Sequence, residues 1–199
     1  MKALSIWQPW TQLLATGKKK YETRSWKTNY RGPILLHASK KPYSQIEKTM
    51  DFCLRKRVRE VLGLGLVDWK KRIPTGVIIG MADIKDCIEI TPEFSEKLRI
   101  NHPDEYVFGD FTPGRYAWEM SGAYLFKEPI PAKGYQGIWN YNGPVPNRDG
   151  KLCIMPENPY CPACRHGYIE YPDPEDASVT LWHCLLEKSE CDEREARKV

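Results

Sequence analysis

GKKKYETRSW, residues 17–26, packs three lysines, a glutamate, an arginine and two aromatic rings into ten positions. On a regular strand Lys19, Tyr21 and Thr23 share one face, and Lys20, Glu22 and Arg24 share the other. Both charge signs and several hydrogen-bond donors are thus gathered on a short element, which suits an anionic or planar polar ligand. Strict alternation cannot aim Lys19, Glu22 and Arg24 into one cleft. If those three act together, the backbone must turn or bulge near Tyr21 or just after Gly17. Lys18 and Lys20 are then left to solvent.

Upstream, residues 1–6 (MKALSI) form an apolar strand candidate. In Trp7-Gln8-Pro9-Trp10, Ser5 is placed to cap a short helix with Pro9 in its first turn. Gly17 fits the stop of that helix. Downstream, residues 34–38 (ILLHA) are a nearly unbroken apolar run, which predicts a buried central strand carrying one polar side chain, His37. On such a strand His37 reads either as a satisfied core histidine or as an acid/base group. Residues 40–59 predict a helix whose apolar stripe includes Ile46, Met50, Phe52 or Cys53, Leu54 and Val58, and whose other faces are basic. Residues 76–90 and 115–126 predict further strands, the second bulged at Gly122. Residues 91–114 predict a helix opened by Thr91-Pro92-Glu93, followed by a long loop.

The 199-residue chain carries a net charge of +4, which hides an asymmetry. Residues 1–75 hold 17 Lys/Arg against 5 Asp/Glu, and the remainder holds 13 against 21. A basic N-terminal part points to a polyanionic partner, against the blander reading of solvated helix faces. No apolar run reaches the roughly 18 residues of a membrane helix, and the N-terminus lacks a signal-peptide core. The expectation is a cytoplasmic chain without a membrane partner. Seven cysteines in that setting favour reduced thiols or metal over a disulfide framework.

Composition changes near residue 146, where a boundary is placed between a domain at 1–146 and a cysteine-rich segment at 147–199. Cys161 and Cys164 form a CxxC pair. Cys184 and Cys191 follow at a spacing wider than the usual ribbon, so the candidate is a four-thiolate structural zinc site that staples a small tail. His183, His166 or Cys153 could replace a member. A redox CxxC and free or disulfide-linked thiols are the alternatives.

Residues 1 to about 146 also resemble a known family. Gly17, Lys19, Glu22 and Arg24 match the G-x-K-x-x-E-x-R pattern of the ASCH domain, with Trp7-Gln8-Pro9-Trp10 before it and Arg24-Ser25-Trp26, Tyr30-Arg31-Gly32 and His37-Ala38-Ser39 after it. Residues 80–86, 114–118 and 133–139 resemble the later parts of such domains. The resemblance implies an α+β fold, a PUA-like β-barrel with flanking helices, and a cleft holding the motif's Lys, Glu and Arg. It implies RNA, single-stranded nucleic acid or a modified nucleoside as ligand. On that basis Trp7, Gln8, Lys19, Glu22, Arg24, Ser39, Lys40 and Lys41 are the candidate nucleic-acid contacts. Lys19 and Glu22 become the catalytic pair if the domain is a hydrolase, acting on an acylated nucleobase as an amidohydrolase or on RNA phosphodiesters. Amidohydrolases of the family share Lys19 and Arg24, but their catalytic threonine falls at Glu22. A third possibility is a protein-interaction module of a transcription or RNA-processing complex that docks through the tail.

Overall fold

The structure is a computed structural model that describes residues 1–64, 73–146 and, for the backbone alone, 152–153. Cys161, Cys164, Cys184 and Cys191 lie outside the described residues. The chain divides into two compact units, Lys2–Trp139 and a second comprising Met1 with 140–199. Of the second unit, a two-stranded antiparallel ladder pairs Val145–Pro146 (β7) with Leu152–Cys153 (β8).

The first unit is built on strands β1 (Lys2–Ile6), β2 (Tyr21–Arg24), β3 (Gly32–Ala38), β4 (Val77–Glu89), β5 (Tyr116–Pro131) and β6 (Ile138–Asn140). They form one mixed sheet in the order β2-β5-β4-β3-β1-β6, parallel between β1 and β3 and antiparallel between β3 and β4, β4 and β5, and β2 and β5. The sheet is a curled half-barrel with flanking helices, in keeping with the α+β class expected. Its curl is visible in one contact: Arg24, on the edge strand β2, donates from Nη2 to the Ser5 carbonyl of β1 at 2.9 Å, four strands away in the order. The curl also has a covalent cause. Between Met81↔Tyr124 and Asp83↔Ser121 the ladder takes three steps on β5 against two on β4. The extra residue falls at Gly122, whose φ of 58° is cheap for glycine. The predicted bulge is therefore present, and such bulges bend and twist a strand.

The concave face packs Leu4, Ile6, Ile34, Leu36, Ile84 and Trp118 against the helix α1 (Trp10–Ala15), which contributes Leu14 and Ala15. Ser5 does not cap α1. The helix starts one turn later, after Pro9, with no side-chain cap. Ser5 lies on β1 instead, its hydroxyl donating to His37 Nδ1 at 3.0 Å.

The predicted helix at 40–59 is two helices, α2 (Tyr43–Glu47) and α3 (Phe52–Val61), the second opened by Asp51 accepting from the Leu54 N–H. Their apolar residues serve two small cores: Tyr43, Ile46 and Met50 pack with Leu64 and Ile73, while Val58 meets Leu13 and Phe108 with Leu54 against them. Phe52 is not part of that stripe, being 74% exposed. Helices α4 (Pro92–Asn101) and α5 (Pro103–Val107) complete the unit, and Thr91 caps α4 from its side chain as expected. Among the described residues no helix is long and apolar enough to cross a membrane.

Candidate functional site

The turn after Gly17 resolves the alternation problem. Gly17 takes φ +68°, and the Leu13 carbonyl accepts from both the Lys18 and Lys19 N–H groups at 2.8 and 3.0 Å. Strand β2 begins only at Tyr21. Lys19 therefore sits on the connection, free of strand alternation, and its amine enters the same cleft as Glu22 and Arg24, which share one face of β2. Lys20 is left outside and pairs with Glu119 at 2.9 Å.

The cleft encloses about 520 Å³. Its polar floor is Lys19, Glu22 and Arg24, and its walls include Trp7, Trp10, Leu54 and Phe108. Residues 107–110 and Arg115 close the remaining side. Lys19 is 3% exposed, and its Nζ has no hydrogen-bond partner. The nearest carboxylate oxygen, Glu105 Oε1, is 3.8 Å away, and the Phe111 ring centre is at 5.7 Å. Burial pushes the Lys19 ammonium below the ordinary lysine range, with Glu22 and then Glu105 pulling it partly back. Glu22, 7% exposed, lies 3.0 Å from Arg24 Nε. Arg24 is thus held by Glu22 on one side and by the Ser5 carbonyl on the other, with its guanidinium 6.0 Å above the Trp118 ring. A fork fixed in this way suits planar, bidentate recognition.

Trp7 forms the mouth, 51% exposed, with Lys41 Nζ 3.9 Å over its ring. Gln8 is engaged within the fold. It is fully buried, donates from Nε2 to the Pro74 carbonyl at 2.9 Å and accepts from the Gln12 N–H at 3.1 Å, so it pins the start of α1. Ser39 and Lys40 lie outside the cleft lining. The Ser39 N–H donates to the Ile6 carbonyl at 2.9 Å, while Lys40 is exposed beside Gly76. Trp118 is core, and Trp26 packs edge-on against it with ring centres 4.6 Å apart. His37 is a satisfied buried histidine. Ala132 accepts from Nε2 at 3.2 Å, which leaves Nδ1 to accept from Ser5. Burial holds its pKa below the usual histidine value, with the Ala132 carbonyl opposing.

Glu105 and the segment after α5 were not legible in the sequence. Glu105 accepts from the N–H groups of Lys20 and Tyr21 at 2.7 and 2.9 Å, so α5 clamps the start of β2 while lying beside Lys19. The one local signal was Gly109. A Cβ there would come within 3.1 Å of Lys19 Nζ, so the backbone approaches the buried amine more closely than another residue would comfortably permit. Among the described residues no group of three or more His, Cys, Asp or Glu is placed to hold a metal ion.

A profile of the ASCH domain matches residues 4–134. The chain belongs to the ASCH domain family. In direct sequence comparison the ASCH chain is 30% identical over 155 residues to activating signal cointegrator 1 of Homo sapiens and 29% identical over 161 residues to the Mus musculus protein of that name. Each match covers 78% of this chain but 24% of the relative. Among solved structures, ASCH from Zymomonas mobilis is similar at 12% identity and a TM-score of 0.43, over 70% of this chain and 86% of that one. ASCH domains are generally associated with RNA binding, and the cleft described above lies within the matched residues, with Lys19, Glu22 and Arg24 in its lining.

Proposed function

We propose that the cleft binds a nucleobase, presented by RNA or by a modified nucleoside. The observation that carries this is the buried Lys19 amine, which has Glu105 at ion-pair distance but no hydrogen-bond partner, beside the Glu22–Arg24 pair. A buried donor with no acceptor costs about 1–3 kcal/mol, a cost that a ligand acceptor removes. Glu22 offers an acceptor for an exocyclic amine, Arg24 a fixed donor fork, and Trp7 an aromatic wall at the mouth. Screening nucleosides and short oligonucleotides by ligand-induced thermal stabilisation tests the proposal. Wild-type protein is expected to gain stability with at least one ligand, and Lys19→Ala to lose that gain. No stabilisation by any of them, together with no mobility shift at low salt, overturns it.

A second reading is hydrolysis of an acylated base or of an RNA phosphodiester in the same cleft. It is supported by the lowered Lys19 pKa, because a neutral amine can serve as base or nucleophile. Here Lys19→Ala abolishes turnover by orders of magnitude, whereas under the binding reading it weakens affinity and no product forms in either protein.

A further inference from the structure

Helix α3 looks like a phosphate rim in the sequence, but its cations are engaged. Arg57 makes two hydrogen bonds to Asp104, at 2.8 and 2.6 Å, and a third to Glu60. Arg59 is bonded to Glu47, Arg55 donates to the Met50 carbonyl, and Lys56 faces Glu60. At Lys56, Arg57 and Arg59 a bound phosphate would have to compete with a carboxylate already in place.

The other side of the mouth differs. Among the described residues no carboxylate lies within ion-pair distance of Lys40, Lys41 or Lys133. The Ser39 N–H bond to the Ile6 carbonyl sets the end of β3 beside the end of β1, which brings Lys41 onto Trp7. Lys40 then lies over Gly76, where an added Cβ would meet its Cγ at 3.1 Å. The Gly76 N–H donates to the Ala38 carbonyl at 2.8 Å, and the Gly76 carbonyl accepts from the Ala132 N–H at 3.3 Å, which joins the start of the Lys133–Tyr135 segment to the turn that Lys40 covers.

That last segment is fixed from below. His37 donates to the Ala132 carbonyl, and Gly134 is seated so closely on the His37 ring that no side chain fits there. Trp139 meets both His37 and Tyr135 edge-on, with ring centres 5.6 Å apart in each case. Tyr135 is nonetheless 56% exposed, with Lys133 Nζ 5.8 Å above its ring. An aromatic ring held on a rigid base among unpaired lysines is the surface that single strands use, stacking bases while cations follow the backbone.

We propose that Lys133 and Tyr135, continued by Lys40 and Lys41, form a track for a single-stranded nucleic acid whose base occupies the cleft. This rests on the proposed function and narrows it: the ligand is an oligonucleotide, not a free nucleoside. Single-stranded character is favoured by Tyr135, since an exposed ring on a protein surface stacks most readily on a base splayed out of a helix.

Fluorescence anisotropy with single-stranded oligonucleotides of about eight nucleotides, set beside nucleoside binding by thermal shift, tests the track. Lys133→Ala/Tyr135→Ala is expected to weaken oligonucleotide binding about tenfold or more and to lower the slope of log affinity against log salt by about 0.7. Nucleoside affinity and the melting temperature without ligand should not change. Tyr135→Phe should keep the stacking part, and Arg57→Ala should bind as wild type. The track is overturned if the double variant binds the oligonucleotide as wild type does, or loses nucleoside affinity equally. It is also overturned if a duplex of the same length or a poly-glutamate peptide binds as tightly, because the surface would then be a general polyanion patch. Loss of all binding in the wild type would instead remove the cleft proposal, and the track with it.

Discussion

At the scale of single residues, the site is paid for in stability at Lys19. A charged amine without a hydrogen-bond partner in the interior is a cost unless a ligand meets it. Lys19→Met is therefore expected to raise unfolding stability by about 1 kcal/mol while removing ligand-induced stabilisation, measured by urea titration with and without ligand. The sign with pH follows from the lowered pKa. The penalty is fully present below the folded value and fades as pH rises toward the ordinary 10.5, so the variant's advantage should shrink in alkaline solution. His37 works in the same direction over a different range. Its folded pKa is depressed from 6.5, so the unfolded chain takes up protons first and stability falls as pH drops below that value. Melting followed from pH 7 to about 5 should show a smaller decline in His37→Gln than in wild type. An equal decline would place the acid sensitivity elsewhere. That His37 was buried was legible from the apolar run around it. That its ring is the seat of Gly134 was not, since the two are distant in sequence and only the folded sheet joins them.

Among the elements, strands were easier to recognise than the contacts that aim them. The apolar runs of β3 and β4 mark central strands, and Gly122 marks a bulge, because each is a local property of a few residues. The single helix expected over 40–59 split because the stripe serves two separate cores, with Asp51 capping a fresh start. Helix α1 depends on a close approach that its own sequence does not disclose. At Gly80 on β4 an added Cβ would press on the Tyr124 carbonyl and come within 3.2 Å of Ala15 Cβ. Gly80→Ala is thus expected to cost about 2 kcal/mol or more, read as a lower urea midpoint with an unchanged slope. A neutral substitution would mean that α1 and β5 can both yield. The role of Glu105 was illegible for a related reason: its partners are the backbone N–H groups of Lys20 and Tyr21, and backbone groups carry no sequence signature.

For the molecule as a whole, the basic N-terminal part did point toward a polyanion, yet net charge could not say where. Folding cancels the charge on α3 through acids brought from α2 and α5, and leaves it unpaired on the opposite side of the mouth. The motif itself was readable as a set of residues. Its geometry was not, because the turn that frees Lys19 from strand alternation depends on the last turn of α1, where the Leu13 carbonyl takes the Lys18 and Lys19 N–H groups and Gly17 redirects the chain. The curl of the sheet is the property that unites these parts, and Arg24 is its fastening. Arg24→Lys keeps the charge but loses the fork that reaches Glu22 and the Ser5 carbonyl together. It should lower stability by about 1–2 kcal/mol and weaken ligand binding in the same protein, by thermal melting with and without ligand. Intact stability with lost binding would separate the two roles.

That double duty has an evolutionary side. A residue that both fastens the sheet and faces the ligand cannot be exchanged to suit a new ligand without loosening the scaffold that presents it. Changes in preference that spare the scaffold are therefore expected at positions whose replacement leaves the sheet intact, such as Trp7, Lys41 and the backbone-lined segment at 107–110. Lineages that share the same floor can diverge in what they hold by altering only the rim.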